Sequence, residues 1–297
     1  MSVSKRGRRY DSIAGGRIAR TQDTPRRSHG RSTRQPSLTR AACRWELGQE
    51  PLTQVDTVAT ECPVALVYNG VSHAVMMASP ADLEDMGTGF TLAEGIVGEF
   101  AEIGSVESID MVLGFEIRIE IPARRAAALD ERRRSMVGGT ACGLCGVISL
   151  EQAIRPMPRA GIGPRWGAAA IRAALGELPQ RQGIHRQTGG LHAAAMVSAE
   201  GELLLLREDV GRHNALDKLV GAAAAAGIEP ARTMLLLTSR CNAEMVQKAA
   251  TAGFTTMVTI SAPTSLAIAL AEEADLTLVA FARGDAFTAY TRADRIL

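Results

Sequence analysis

Residues 233–261 read TMLLLTSRCNAEMVQKAATAGFTTMVTIS, and this stretch decides the fold. It contains two short apolar runs, at 233–238 and 255–261, and between them a segment with helical periodicity at 243–252. Neither run alternates polar with apolar residues, which is typical of strands in a sheet that is covered on both faces. The stretch therefore predicts a strand–helix–strand unit of the α/β class.

The same pattern continues on both sides of this unit. We expect further elements as follows: strands at 193–198 and 203–207 joined by a turn, a helix at 212–226, a helix after Pro263 and a last strand at 276–281. Residues 166–297 are therefore predicted to form one α/β domain.

A smaller mixed α+β domain is predicted at residues 41–134. Asn69 and Gly70 lie between two β-prone runs, and this pair favours a hairpin because both residues tolerate positive φ. After the hairpin we expect a helix that opens at Pro80 with acidic residues in its first turn, two strands between 106 and 121 broken by Gly114, and a helix at 122–134.

The net charge of +1 conceals an uneven distribution of charge. Residues 1–40 carry 11 lysines and arginines against two acidic residues, whereas the rest of the chain carries 22 basic and 30 acidic side chains. Because this first segment has few large apolar side chains, burial cannot offset the entropy of ordering it, and we predict a disordered basic tail. The tail has no interleaved aromatic residues and no recognition motif, so we expect no nucleic-acid partner.

Composition is typical of a soluble globular protein. The 297 residues are 46% hydrophobic and 22% charged, and they contain no run of 18 apolar residues that would indicate a transmembrane helix. The basic start is not followed by the apolar stretch of a secretory signal. Five cysteines, an odd number, do not indicate a disulfide framework. We therefore expect a cytoplasmic protein with no membrane partner.

Cys142 and Cys145 form the one arrangement that demands a chemical account, Cys-Gly-Leu-Cys. They lie in a segment rich in glycine and proline, 135–165, which we interpret as a mobile loop and linker. Two thiols at this spacing can share a metal ion, exchange a disulfide or pass a sulfur atom on. The residues alone leave these three chemistries open, alongside a purely structural role.

A zinc site is disfavoured because it needs three or four ligands and the sequence has no second Cys-x-x-Cys. The zinc deaminase signature is also missing, since no histidine is followed two residues later by glutamate and Ala141 stands where that signature has proline. We interpret Cys43, Cys62 and Cys241 as packed or bystander thiols. No metal site is predicted.

Three segments beside predicted strands could bind an anionic ligand. They are 188–192 (TGGLH), 208–214 (EDVGRHN) and 281–286 (FARGDA). Ligands of open α/β sheets bind at the carboxyl ends of the strands, and Arg283 could pair with a phosphate there. For His192 and His213 a hydrogen-bonded structural role is the simpler interpretation.

Six segments, taken in order, resemble the family of formate dehydrogenase accessory sulfurtransferases. They are 61–70 (ECPVALVYNG), 89–96 (GFTLAEGI), 142–146 (CGLCG), 188–194 (TGGLHAA), 208–218 (EDVGRHNALDK) and 244–248 (EMVQK). The resemblance covers roughly residues 45–297 and leaves only the tail outside.

The resemblance implies a cytoplasmic homodimer that serves molybdenum-dependent formate dehydrogenases. The protein would accept sulfur from a cysteine desulfurase as a persulfide and transfer it to the molybdenum cofactor, bis-molybdopterin guanine dinucleotide, which it would bind as cargo. By motif position, Cys142 would carry the persulfide and Cys145 would assist. The cofactor-binding residues would be Phe281, Ala282, Arg283, Gly284, Asp285 and Ala286. The catalytic domain would be a cytidine deaminase-like α/β sandwich.

Two other functions remain open. A non-catalytic carrier would bind the guanine-nucleotide moieties and chaperone the cofactor without using its cysteines. A thiol-disulfide reductase would use both thiols without cargo. A sulfur adduct on the protein separates the sulfurtransferase from both.

Overall fold

A computed structural model of the chain describes residues 35–135 and 156–297. These residues form three β-sheets, of two, four and six strands, together with seven α-helices. None of the described helices combines the length and the apolarity that crossing a bilayer requires.

The first sheet is an antiparallel hairpin of β1 (Ser37–Arg44) and β2 (Leu52–Ala59). Both of its faces are largely exposed, and its apolar residues Leu52 and Val55 face solvent. The tail boundary predicted at residue 40 is wrong, because β1 already begins at Ser37. Backbone hydrogen bonds rather than apolar burial order this segment, so its hydropathy gave no signal of a strand.

The four-stranded sheet has the spatial order β4-β3-β6-β5. It is built from β3 (Cys62–Tyr68), β4 (Val71–Ala78), β5 (Ser105–Met111) and β6 (Gly114–Glu120), and it shares one apolar core with α1 (Leu83–Ala93) and α2 (Ala123–Ser135). The predicted hairpin is confirmed between β3 and β4, where Asn69 and Gly70 have φ of 48° and 79°.

The strand break predicted at Gly114 is wrong by one to two residues. The turn is Val112-Leu113, and Gly114 is the first residue of β6. A Cβ on Gly114 would lie 2.0 Å from the carbonyl oxygen of Pro63. Glycine is therefore required here by the close approach of β3 and not by a turn.

The six-stranded sheet is built from the rest of the chain. Its helices and strands are α3 (Ala168–Arg181), α4 (His185–Thr188), β7 (His192–Val197), β8 (Leu203–Asp209), α5 (Arg212–Ala226), β9 (Met234–Leu237), α6 (Ala243–Thr251), β10 (Thr256–Thr259), α7 (Ser265–Glu273), β11 (Thr277–Arg283) and β12 (Ala286–Ala289). The spatial order is β12-β11-β10-β9-β7-β8. The strands β9, β10 and β11 are parallel, whereas β7 is antiparallel to β9.

The mixed α/β class predicted from the sequence is confirmed. α5, α6 and α7 pack on one face of the six-stranded sheet, and α3 with Trp166 packs on the other. Because both faces are covered, β9 and β10 are buried along their whole length and their sequences read as apolar runs. The helix predicted at 212–226 has those bounds.

The two larger sheets meet where α1 packs against α5. Gly89 on α1 and Gly221 on α5 allow the two helix backbones to touch. A Cβ on Gly89 would lie 1.6 Å from the carbonyl oxygen of Asp217, and a Cβ on Gly221 would lie 2.0 Å from that of Asp85. No side chain could be accommodated at these two contacts. Direct contact between the backbones of α1 and α5 therefore fixes the relative position of the two sheets.

Candidate functional site

The ends of neighbouring strands meet at one edge of the six-stranded sheet. β9, β10 and β11 end there, and β7 begins there because it is antiparallel to β9. We call this the strand-end edge, and it comprises residues 188–192, 209–213, 238–242, 260–261 and 281–284. In open α/β sheets, ligands bind in the crevice outside such strand ends.

The predicted cofactor segment 281–286 lies at one end of this edge. The prediction that the last parallel strand ends at residue 281 is wrong, because β11 continues to Arg283. Only Gly284 and Asp285 form the turn before β12. Ala282 is fully buried, so it presents no surface to a ligand.

Phe281 and Arg283 are the two side chains of this segment that suit a nucleotide. Phe281 is 45% exposed and has φ of 52°, a left-handed conformation that is strained for a bulky residue. Arg283 Nε donates to the carbonyl oxygen of Ile260 at 3.0 Å. An exposed aromatic ring beside a guanidinium group can stack on a purine base and hold a phosphate.

Glu208 shapes the glycine-rich turn at the other end of the edge. Its buried carboxylate accepts hydrogen bonds from the N–H groups of Ile184 at 2.9 Å and His185 at 2.7 Å. His185 Nδ1 in turn accepts a hydrogen bond from the N–H of Leu191 at 3.3 Å. The turn 188–191 is thus held in one conformation by side chains on both sides of it.

His192, Arg212 and His213 gather beside this turn. His192 begins β7, while Arg212 and His213 open α5. Burial, followed by the charge of Arg212, lowers the pKa of His192, so this imidazole is neutral at pH 7. His213 Nε2 lies 2.9 Å from Glu244 Oε2, and this contact holds the pKa of the Glu244 carboxyl below its usual range.

Asp209 also lies at the strand-end edge, but both oxygens of its carboxylate are engaged in hydrogen bonds within the protein. One carboxylate oxygen accepts hydrogen bonds from Lys218 Nζ at 2.7 Å and from the N–H of Ser79 at 2.9 Å. The other accepts from the N–H of Gly211 at 2.7 Å and from Asn214 Nδ2 at 3.0 Å. The Asp209–Lys218 pair therefore ties the segment before α1 to the strand-end edge.

A second buried cluster lies farther along α5. Lys248 Nζ donates to both carboxylate oxygens of Asp217, at 2.8 and 3.0 Å, and contacts Glu94 Oε1 at 3.0 Å. It also lies 4.9 Å from the centre of the Phe90 ring. Although burial opposes the charge, these carboxylates raise the pKa of Lys248 and keep it protonated. Several residues of the segments 208–218 and 244–248 therefore link the two larger sheets.

Cys142 and Cys145 lie outside the described residues. Among the cysteines that the structure does describe, Cys62 and Cys241 are buried and Cys43 is exposed. Burial raises the pKa of Cys62 to about 11 and that of Cys241 to about 12. Their burial confirms the interpretation of these two as packed thiols. A thiol with so high a pKa is also a poor nucleophile at neutral pH.

Sequence reasoning assigned no role of their own to three polar residues of this region. Arg212 was included only as part of the candidate segment 208–214, Glu244 only as part of the resemblance segment 244–248, and Arg240 in no candidate segment. Arg212 and Glu244 begin helices and Arg240 follows a buried strand, so their places after predicted strands could have identified them. Across the ranges 35–135 and 156–297, no group of three or more histidine, cysteine or acidic side chains is arranged to hold a metal ion.

Comparison with known proteins agrees with the resemblance seen in the six segments. The chain is 45% identical to the sulfur carrier protein FdhD of Xanthomonas oryzae pv. oryzae, over 91% of this chain and 95% of that protein. It is also 45% identical to the sulfur carrier protein FdhD of Cupriavidus necator, over 86% of this chain and 88% of that protein.

A solved structure, described as that of a formate dehydrogenase accessory protein from Desulfotalea psychrophila, has a similar fold. The TM-score is 0.69 at 25% sequence identity, and the match covers 89% of this chain and 100% of that one. The model of the FdhD/NarQ family matches residues 59–297, which include both larger sheets and the strand-end edge. The chain therefore belongs to the FdhD/NarQ family.

Proposed function

We propose that this chain is a sulfurtransferase that supplies sulfur for formate dehydrogenase. It accepts sulfur from a cysteine desulfurase as a persulfide on Cys142, assisted by Cys145. It transfers this sulfur to bis-molybdopterin guanine dinucleotide, which it binds as cargo. We place it in the cytoplasm as a homodimer whose six-stranded sheet is of the cytidine deaminase kind.

One observation carries this proposal. The chain is 45% identical, over 91% of its length, to a protein named as a sulfur carrier. The family model matches residues 59–297, a range that contains the strand-end edge as well as the Cys-Gly-Leu-Cys segment, which supports an activity that uses both.

The remaining thiols support Cys142 as the residue that bears the sulfur. A thiolate is the nucleophile in sulfur transfer, and burial keeps Cys62 and Cys241 protonated at neutral pH. Cys43 lies outside the residues that the family model matches. In the first step the Cys142 thiolate attacks the terminal sulfur of the desulfurase persulfide. A new S–S bond forms, the donor's S–S bond breaks, and the desulfurase cysteine leaves as a thiolate.

The strand-end edge supports the binding of the cargo. The cofactor carries two pyrophosphates, so its site needs placed positive charge and hydrogen-bond donors. Residues 41–297 carry more acidic than basic side chains, so we do not expect a broad basic surface. Arg283 at one end of the edge, Arg212 at the other, and Arg240 after the central strand β9 supply localised charge instead. The chain's own residues thus bind and orient the cargo, while the sulfur arrives on Cys142.

Intact-mass spectrometry after incubation with a cysteine desulfurase and cysteine tests the proposal. We expect the wild-type chain to gain about 32 Da, the mass of one sulfur atom. The Cys142→Ser variant should gain nothing and should fail to support formate dehydrogenase maturation, because an alcohol cannot hold a sulfane sulfur.

Cys62→Ser is the matched control, and it should keep both the adduct and maturation. Wild-type protein that stays free of the adduct and still binds GDP would favour a carrier without catalysis. Normal formate dehydrogenase activity with Cys142→Ser would exclude the persulfide role.

A further inference from the structure

The β1–β2 hairpin projects from the two larger sheets, and we call its residues 37–59 the arm. At its base β2 packs against α4, and a Cβ on Gly190 would lie 3.6 Å from the Cβ of Ala59. Farther out both faces are largely exposed along strands of eight residues, which are about 26 Å long. A two-stranded hairpin without a covered apolar face is marginally stable in water, so the arm needs a partner.

Apolar side chains are concentrated toward the tip of the arm. In the loop that joins β1 to β2, Trp45 is 75% exposed and Leu47 is fully exposed. Leu52, the first residue of β2, is also exposed. Large apolar side chains grouped on a projecting element, tryptophan above all, are typical of contacts between proteins.

A second exposed apolar surface lies on the four-stranded sheet, on the face turned away from α1 and α2. Val64 points into the core that the sheet shares with these helices, so its neighbours Pro63 and Ala65 point to the other face. Their cross-strand partners on β4 are Met77 and Val75, which are 49% and 57% exposed. Apolar side chains of two strands therefore face solvent together.

The turn between β5 and β6 extends this surface. Its residues Val112 and Leu113 are exposed, as is Met111 before them, and Gly114 after them lies against the backbone of Pro63. The surface thus lies at the end of the sheet where β3 begins, which is also where the arm ends. We call it the outer patch, and its residues are Pro63, Val75, Met77, Met111, Val112 and Leu113.

The edge of the sheet beside the outer patch is unprotected. β4 and β5 are the two edge strands, and such strands usually carry charged residues or proline that prevent pairing with another chain. β5 carries Glu107 and Asp110, whereas β4 has no proline and no titratable side chain apart from His73. The side of the sheet that carries the patch therefore has the character of an interface.

We propose that the arm of one copy of this chain packs on the outer patch of a second copy, and that the exchange is reciprocal. The inference rests on the proposed function for the homodimer and deepens it by assigning the interface. The arm does not cover the patch of its own chain, because it packs against α4 and the patch remains exposed in its presence.

Size and symmetry favour a second copy over another partner. An interface of standard size has about 20–30 residues on each side, and the arm alone supplies 23. Each chain carries one arm and one patch, so two reciprocal contacts use all four surfaces and a twofold axis closes the pair. The six residues of the outer patch carry no charge, so no like charges meet at the centre of either contact.

Sedimentation velocity of the full chain measures the dissociation constant of the dimer and tests the exchange. The arm variant carries Trp45→Ser and Leu52→Ser, and the patch variant carries Val75→Glu and Met77→Glu. Each should raise the dissociation constant by about a hundredfold or more, because a dimer of either variant has lost both of its contacts.

Mixing the two variants distinguishes the exchange from other dimers. A mixed dimer keeps one intact contact, between the arm of the patch variant and the patch of the arm variant. We therefore expect the mixture to dimerise at concentrations where each variant alone is monomeric. A mixture that stays monomeric would overturn the exchange, because arms would then meet arms or patches would meet patches.

Leu266→Ser and Ile162→Glu are the matched controls. Both residues are exposed, Leu266 on α7 and Ile162 before α3, and neither belongs to the arm or the patch. These variants should dimerise as the wild type does. Thermal melting shows which variants fold, and the single substitutions Trp45→Ser and Val75→Glu replace a double variant that does not. A monomeric wild type, or wild-type dimerisation of the arm and patch variants, would overturn the interface.

The desulfurase assay separates this inference from the proposed sulfur transfer. Arm and patch variants that are monomeric and still gain the sulfur adduct support both. Variants that keep the adduct and the wild-type dimer refute the interface alone. A wild-type dimer that depends on the arm and the patch but never gains sulfur supports the interface and refutes the sulfurtransferase.

Discussion

The arginines at the two ends of the strand-end edge are held in different ways. Arg283 Nε already donates to the carbonyl oxygen of Ile260 at 3.0 Å, so its side chain is partly fixed and its terminal nitrogens remain for a ligand. Arg212 has no such bond to a described residue. A guanidinium that is fixed before binding loses less conformational entropy, so on the proposed function we expect Arg283 to be the stronger single contact for GDP.

We therefore predict that Arg283→Ala weakens GDP binding by about 1.5–3 kcal/mol, the scale of a hydrogen bond to a charged group. Calorimetric titration measures the change. Removal of residues 1–34, which precede β1, is the control. It should leave the affinity unchanged, because these residues lie outside the range 59–297 that the family model matches. Unchanged affinity in Arg283→Ala, or a large loss on removal of the tail, would move the site elsewhere.

For individual residues, the sequence predicted whether a side chain is buried better than it predicted which residues that side chain contacts. Cys62 and Cys241 were predicted to be packed thiols, and both are buried. Arg283 was predicted to follow the last parallel strand, but it is the last residue of β11. The engagement of Asp209 could not be predicted, since its partner Ser79 lies 130 residues away in the chain. Only the tertiary fold shows that this carboxylate is unavailable to a ligand.

The contact between α1 and α5 depends on one glycine from each helix. We predict that Gly89→Ala destabilises the protein by about 3 kcal/mol or more, because its Cβ would lie 1.6 Å from the backbone oxygen of Asp217 and the helices would have to separate. Urea unfolding followed by circular dichroism measures the loss.

Gly176→Ala on α3 is the matched control. No atom lies within 4 Å of a Cβ built on Gly176, and alanine has the higher helix propensity. This variant should be as stable as the wild type or more stable by up to about 1 kcal/mol. Equal effects of the two substitutions would mean that the helices do not touch at Gly89.

The helices and strands that the sequence predicted are those whose signal is local. The Asn69-Gly70 hairpin and α5 follow from turn chemistry and periodicity. α3 was missed because Gly176 and Pro179 interrupt its pattern. α4 was missed because its four residues are held by the carboxylate of Glu208, a tertiary contact. β1 and β2 were missed because a hairpin exposed on both faces has no apolar face to detect.

In the whole molecule, ion pairs and hydrogen bonds of charged side chains link the four-stranded sheet and its helices to the six-stranded sheet. Arg207 contacts Asp85 at 2.8 Å, and Lys248 contacts Glu94 at 3.0 Å. Lys218 bonds to the carbonyl oxygen of Ser79 as well as to Asp209. With the glycine contact between α1 and α5, these links make us expect one cooperative unfolding transition.

We predict that Lys218→Met destabilises the chain by about 3–5 kcal/mol, because it leaves the carboxylate of Asp209 buried without its charged partner. Denaturant unfolding should still show a single transition, shifted to lower denaturant concentration. Arg232→Met is the control, since Arg232 pairs with Glu229 at the surface with side chains 81% and 68% exposed, and it should cost less than about 1 kcal/mol. A second transition in the wild type would show that the two parts unfold separately.

The pair between Glu94 and Lys248 also affects how the chain is made. Glu94 emerges from the ribosome 154 residues before Lys248. At about 5–20 residues per second, Glu94 waits roughly 8–30 s for the lysine that neutralises it. α1 waits less long for α5, which covers its glycine face and ends at Ala226. Until α5 has been made, the nascent chain presents an uncovered helix that the finished protein lacks. Aggregation and chaperone binding should therefore depend on the rate of translation between residues 94 and 248.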